Sequence, residues 1–473
     1  MKSTILYFLH GFLLGLTCLS QSFATEVRFL GMGHLSLVVE DETNQINLYR
    51  FGDNVAGALK DEETSTASGD FSFAQQKSKT AGKIDSLRYT AFGQAFPKSL
   101  REYTPFELLA GELDFPIFNL PGNSITWIQR KTGEERNIFG EVSRPQAYGM
   151  NFSYSTMKRD SLSKQYKETV NTPQVEIFYN QNYSERISWG LKLGGFQGKY
   201  KHSETKDEVS LTNFGAGLGG GFSFAEKLWL GLVLDGHLPK FEEVTTSFGR
   251  TDRITYSGTG FRTGLQTICN IARLKAGGRF AYHRVKTKGK TGTFSVDSFE
   301  GMTRVLYNLL FIPVKLGGMC GYDRKKPVDK DDVGRIDYQA KVSTFLFGSG
   351  AGLKVPLGTV GAEYHLESRK IDDVFEDTTI SGKNYEINIG AEFNLVKTIF
   401  LRVGYIVGQE DPDIKVSKNE WKSNTITAGI GVDILQKIKA DFAYNHIVSK
   451  PKDNPNGKEV KENVAMLTVK VKY

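Results

Sequence analysis

The sequence predicts an all-β protein, a transmembrane antiparallel β-barrel of about fourteen to sixteen strands with an N-terminal plug or hatch segment. Three observations carry this. First, the C-terminal third alternates with period two. In YEINIGAEFNL (385–395), Tyr385, Ile387, Ile389, Ala391, Phe393 and Leu395 alternate with Glu386, Asn388, Gly390, Glu392 and Asn394. Such a run is a strand with one apolar and one polar face. Second, connections alternate between long polar stretches and short turns, as in barrels with long loops on one side of a membrane and tight turns on the other. Third, beyond the leader no run approaches 18 apolar residues, so helical spans are excluded and only a closed barrel could satisfy its backbone in lipid.

The leader is residues 1–24. Lys2 gives a positive start, an apolar run extends from Ile5 to Leu19, and Ser22-Phe23-Ala24 is a small-x-small cleavage pattern. Cleavage after Ala24 is expected. Gly15-Leu16-Thr17 before Cys18 makes a poor lipobox, and a first transmembrane helix is disfavoured by the shortness of the run. Composition agrees with export into a membrane. Gly is 50 of 473 residues and aromatics are 12%, while the net charge of +7 is small beside 60 basic and 53 acidic residues. The basic residues are scattered rather than gathered in one patch, which argues against nucleic acid as a partner.

Residues 25–146 form the expected hatch or plug region. They open with VRFLGMGHLSLVVED (27–41), in which Leu30-Gly31-Met32-Gly33 precedes a short apolar run and the acidic pair Glu40-Asp41. Asn54-Val55-Ala56-Gly57 follows. GMG lacks the third glycine and the following helix of a dinucleotide fingerprint. Residues 60–83 are polar and Ser/Thr-rich, and 84–146 is irregular and proline-punctuated, with one strand-like piece at 124–131. A compact plug and one or two extra wall strands both fit the last stretch.

This N-terminal pattern resembles the FadL/TodX-like long-chain fatty-acid transporter superfamily and its PorV-like relatives. Leu30 to Gly33 match the GMG opening, Glu40 and Asp41 the acidic pair, and Asn54 to Gly57 the N-P-A-G position. Val55 replaces the proline, and His34, Leu35 and Ser36 replace small residues. The resemblance implies a barrel of the Gram-negative bacterial outer membrane with the N-terminal segment folded inside as a hatch, and a hydrophobic substrate leaving laterally through the wall. Leu30, Gly31, Met32, Gly33 and Asn54 would then line the ligand path. The alternative from the residues alone is that GMG…NVAG starts a strand and turns a corner.

Residues 147–473 form the expected barrel, with sixteen strand candidates between 147–156 and 463–473. Ile187, Trp189, Leu191 and Leu193 make one outward row, and Leu228, Leu230, Leu232 and Leu234 another. A charge on the lipid face at mid-bilayer costs roughly 2–4 kcal/mol, so charged positions on strands must face the lumen. They are Lys192, Arg273, Lys275, Arg279, Glu363, His365, Glu367 and Arg402, with Lys439 and Asp441. Such residues either form a self-paired wall or select an ion or carboxylate. The last strand ends on Tyr473, the kind of aromatic terminus read by barrel assembly machinery.

Other chemistries find little support. Asp329, Asp331 and Gly334 mimic the start of a calcium loop, but Val333 is no ligand and Ala340 stands where Glu is needed. Glu363-x-His365-x-Glu367 lacks a second ligand cluster. No histidine falls in a recognisable Ser/His pattern, so an enzyme is not expected, nor is a cofactor or metal. Cys269 and Cys320 are expected as buried thiols rather than a disulfide. The functional expectation is passive outer-membrane uptake of small, hydrophobic molecules such as long-chain fatty acids, with outer-membrane lipid around the barrel. The alternative is a structural or secretion-associated barrel binding partners through extracellular loops.

Overall fold

The computed structural model describes residues 32, 33, 35, 37, 38, 66–80, 83–90, 123–131, 146–161, 166–184, 186–202, 208–224, 227–247, 250–374, 378–396, 398–413, 421–434, 437–451 and 459–472. The leader, Leu30, Gly31, Asn54 and Tyr473 lie outside the described residues.

The described residues form one antiparallel sheet of nineteen strands. Three precede the regular part: β1 (Thr66–Thr80), β2 (Lys83–Thr90) and β3 (Asn123–Lys131). The regular part begins with β4 (Gln146–Ser161), β5 (Tyr166–Asn182), β6 (Ile187–His202), β7 (Glu208–Phe224) and β8 (Leu228–Ser247). It continues through β9 (Arg250–Ile271), β10 (Leu274–Gly289), β11 (Gly292–Asn308), β12 (Val314–Asp331) and β13 (Ile336–Val355). The remainder are β14 (Gly358–Asp373), β15 (Thr378–Val396), β16 (Ile399–Asp413), β17 (Trp421–Ile434), β18 (Ile438–Pro451) and β19 (Val460–Lys472). Strands β4 to β19 correspond one for one to the sixteen strand candidates.

The pairings trace a circuit. Each strand from β4 to β19 pairs with the next, β19 pairs with β1, and β1 returns to β4 through β2 and β3. The last two share one position in the wall. On β1, Thr66–Asp70 pairs with β3 and Ala74–Thr80 with β2. On β4, Gln146–Tyr154 pairs with β3 and Thr156–Asp160 with β2. Wall strands thus occur inside the region expected as hatch, at 66–80, 83–90 and 123–131. The first of these, TASGDFSFAQQKSKT, carries little apolar alternation. Its place is set by the backbone edges that β19 and β2–β3 offer, since strand formation depends more on neighbours than on intrinsic preference.

The long polar connections of the sequence reading are largely strand as well. Residues 285–300 are the ends of β10 and β11 around a two-residue turn at 290–291, and β8 runs to Ser247 rather than stopping near 235. A bilayer needs only about 9–11 residues per strand. The remainder continue as paired hairpin arms whose outward face is largely polar and whose inward face buries scattered apolar residues such as Phe241, Val285, Val296 and Val342.

The faces alternate as expected. On β8, Leu232, Leu234 and Leu238 point outward, exposed, while Trp229, Val233, Asp235 and His237 are buried inside. Comparable outward rows are Phe214 and Leu218 on β7, Ile387 and Ile389 on β15, and Ile426 and Ile430 on β17. An exposed apolar belt of this extent marks a surface that meets lipid. Among the described residues, Cys269 and Cys320 are both free. They are not the buried thiols expected: Cys269 is half-buried and Cys320 exposed, because Cys320 has the outward parity of β12, where Met319 has the inward one.

Candidate functional site on the inner wall

The site is built around the described N-terminal residues, which lie inside the circuit of strands. Met32, Leu35, Leu37 and Val38 are fully buried and cluster with Met319 of β12. The wall accommodates them through glycines at inward positions. A Cβ on Gly390 of β15 would fall 1.8 Å from the Met32 carbonyl oxygen, and one on Gly404 of β16 would fall 2.2 Å from the Gly33 nitrogen. Gly33 itself has φ of 67°, the left-handed region that glycine occupies without penalty.

Two polar ties fix the segment. Gly33 N donates to the buried hydroxyl of Thr427 on β17 at 3.0 Å. Further along, Leu37 N and Val38 N both donate to Glu363 Oε1 on β14, at 2.5 and 3.0 Å. The other carboxylate oxygen, Oε2, lies 3.0 Å from His365 Nε2. A carboxylate gripping two successive amides is a charge-assisted clasp, about twice as strong as a neutral contact. It also solves the problem of two donors buried away from water.

Elsewhere the inner face carries ion pairs that reach across glycine. Lys192, Gly217, Asp235, Arg262 and His283 stand in one register row across β6 to β10. Lys192 Nζ meets Asp235 Oδ1 at 3.2 Å over Gly217, whose added Cβ would lie 2.1 Å from that oxygen. Arg262 continues the chain to Asp235 at 3.8 Å and to Glu300 at 3.2 Å, where Arg279 joins at 4.0 Å. The second network repeats the device. Arg402 pairs with Glu392, opposite it in register, at 2.8 Å, and reaches Asp441 at 2.5 Å past Gly431. Arg402 lies two residues from Gly404 on the same face, so this network borders the seat of Gly33. A third contact, His237 Nε2 to His283 Nε2 at 3.2 Å, adjoins the first row.

Of the residues singled out from sequence, Met32, Gly33, Glu363 and His365 come together at the seated segment. Lys192 and Arg279 belong to the β6–β11 network and Arg402 to the second. Arg273 in the turn before β10, Lys275 close by at the start of β10, and Glu367 on β14 are half-buried elsewhere on the wall. Sequence reasoning missed Thr427, Glu392, Asp235, Arg262 and Glu300 as partners, and the clasp between Glu363 and the backbone. The usable signal was register: Glu392 faces Arg402, and Asp235 faces Arg262, directly across neighbouring strands. Among the described residues no group of three His, Cys, Asp or Glu could hold a metal ion. Asp331 instead accepts Val333 N and Arg335 N at the β12–β13 turn and pairs with Arg335 Nε.

Fold and site together define a class, the membrane-type antiparallel β-barrel with an apolar N-terminal segment seated on its inner wall. No protein-family model and no curated protein matches the chain. Among solved structures it is similar to the Ralstonia pickettii toluene transporter TbuX, with 10% identity over 94% of this chain and 97% of that one, at a TM-score of 0.36. A Pseudomonas aeruginosa FadL homologue has the same identity and TM-score over 94% and 98% of the two chains. The FrpB iron transporter from Neisseria meningitidis has 11% identity over 87% and 82%, at a TM-score of 0.44.

Proposed function

We propose that the protein is an outer-membrane channel for passive uptake of small hydrophobic molecules such as long-chain fatty acids, gated by its N-terminal segment. The observation that carries this is the seating of Met32 to Val38. Its described residues Met32, Leu35, Leu37 and Val38 are apolar and fully buried, and hydrogen bonds from Gly33, Leu37 and Val38 tie it to the wall. Displacing it would open an apolar surface against Met319, whereas the glycine-bridged ion pairs keep the rest of the wall closed over itself. Leu30, Gly31 and Asn54 extend the same ligand path in this reading. The wall position shared by β2 and β3 supplies an interruption suited to lateral exit into lipid. The leader up to Ala24 serves export, and the C-terminal aromatic Tyr473 serves recognition by the assembly machinery.

The second reading, a structural or secretion-associated barrel that binds partners through its extracellular loops, draws on the paired charges of the inner face. Both are tested by uptake of a labelled long-chain fatty acid and of a small polar solute, in cells with and without the protein. Protein-dependent fatty-acid uptake that changes when Leu30 to Gly33 are altered in a still-folded barrel supports the gated channel. Polar uptake alone means a general porin, and no uptake of either favours the structural barrel.

A further inference from the structure

We propose that the outward face of β10 to β14, just beyond the apolar belt, docks the phosphorylated headgroups of an anionic lipid in the outer leaflet. This rests on the outer-membrane reading above. The belt there ends in an aromatic tier: Tyr282 packs against Phe261 at 5.7 Å and Phe280 against Phe299 at 4.4 Å between ring centroids. Above it the outward positions turn basic. Register places Phe299 opposite Arg324, Arg324 opposite Ser343, and Ser343 opposite Lys370. In the next tier Arg284 faces Asp297, Asp297 faces Lys326, and Lys341 faces Asp372. Lys286 stands above Arg284 on the same strand face.

All six bases are exposed. The two acids within the tiers are engaged, Asp297 with Arg284 at 3.4 Å and Asp372 with Lys370 at 2.9 Å. Six bases against two acids leave the patch strongly positive. Four strand-to-strand steps give it a width of about 19 Å, room for more than one phosphate.

The two ends of these strands differ. At the end opposite the basic tiers the β11–β12 connection exposes Leu310, Phe311 and Ile312, Phe311 by 91%, and the β13–β14 turn exposes Leu357. Lys354 is the exposed base there among the described residues. A positive tier confined to one end, directly above an apolar and aromatic one, complements a molecule with acyl chains below and phosphates above. A free anion would use only the upper tier, and a protein partner would have no need of the membrane level.

The test uses the full-length protein in nanodiscs of zwitterionic phospholipid, with bis-phosphorylated lipid A as the probe. The parent protein is expected to retain lipid A, with an Arg284→Ser/Lys326→Ser/Lys341→Ser/Lys370→Ser variant losing about tenfold or more of the affinity. Added salt should weaken binding to the parent, and dephosphorylated lipid A should bind no better than the disc lipid. Equal retention by parent and variant overturns the proposal, as does displacement of lipid A by millimolar inorganic phosphate. A parent that inserts but shows no preference for lipid A sinks this inference alone. A parent that enters no bilayer sinks the outer-membrane reading too.

Discussion

The carboxylate of Glu363 accepts the backbone amide of Leu37 at 2.5 Å, across 326 residues of chain. The same oxygen takes Val38 N. This contact converts a strand residue of the barrel wall into the anchor of the N-terminal segment. Two buried donors depend on it.

Replacing Glu363 with Ala removes their acceptor. Leaving buried donors unsatisfied costs about 1–3 kcal/mol each, a penalty that falls on the seating of the segment rather than on the wall. In a Cys269→Ser/Cys320→Ser background, a Leu35→Cys reporter is expected to label with a thiol reagent faster when Glu363→Ala is present. Gly404→Val should do the same by steric exclusion. Labelling at the parent rate in both variants would remove the clasp from the account.

The Lys192–Asp235 pair is buried on both sides. Deleting Lys192 leaves the buried Asp235 with the longer Arg262 contact at 3.8 Å, so the loss is up to about 3–5 kcal/mol, while replacing both partners with apolar residues is often nearly neutral. Lys192→Met and Asp235→Leu are therefore each expected to lower the urea midpoint of the folded barrel, with the double variant recovering most of the loss. Gly217→Val, which occupies the space the pair crosses, should resemble the single deletions. Strict additivity in the cycle would contradict the pairing.

Leu234 sits in the outward belt, 59% exposed. Leu234→Arg places a charge on the lipid face and is expected to destabilise by roughly 2–4 kcal/mol in a bilayer. In detergent the penalty should shrink. Refolding titrations into vesicles measure the difference, and an unchanged stability there would argue against lipid at this face.

Glu459, just before β19, receives hydrogen bonds from Lys450 and then Lys461, which hold its carboxyl below the ordinary value of 4.5. Its folded pKa is depressed, so its contribution to anchoring the β18–β19 arm is present above 4.5 and is lost as pH falls through the lower folded value. Amide exchange of Lys450 and Lys461 should become faster, relative to the rest of the barrel, only in that acid range. Glu459→Gln should abolish this pH dependence. Persistence of the dependence in Glu459→Gln would assign it to another group.

Much of this was legible in the chain itself. Rows such as Leu228–Leu234 and Tyr385–Leu395 fix strand identity and the face each residue takes, because a period of two leaves only two choices and lipid rejects charge on one of them. That reasoning placed Lys192, Glu363 and Arg402 inward and located sixteen strands. It did not reach β1 and β2, whose residues carry no alternating apolar row. Nor did it reach the arms beyond the belt, where backbone pairing is joined by ion pairs such as Lys450–Glu459 and Lys199–Glu208 rather than by a regular apolar row.

The partners of the inward charges were decided only by tertiary structure. Whether Lys192 meets Asp235 depends on the register of β6, β7 and β8, and on a glycine between them that lets two side chains touch over an empty position. Whether Glu363 is a solvated wall charge or a clasp depends on where residues some three hundred positions earlier come to rest. Sequence alternation determines on which side of a wall a residue stands, since that follows from local backbone geometry. What it touches there is set by strand register and by the path of the N-terminal segment, both properties of the assembled sheet.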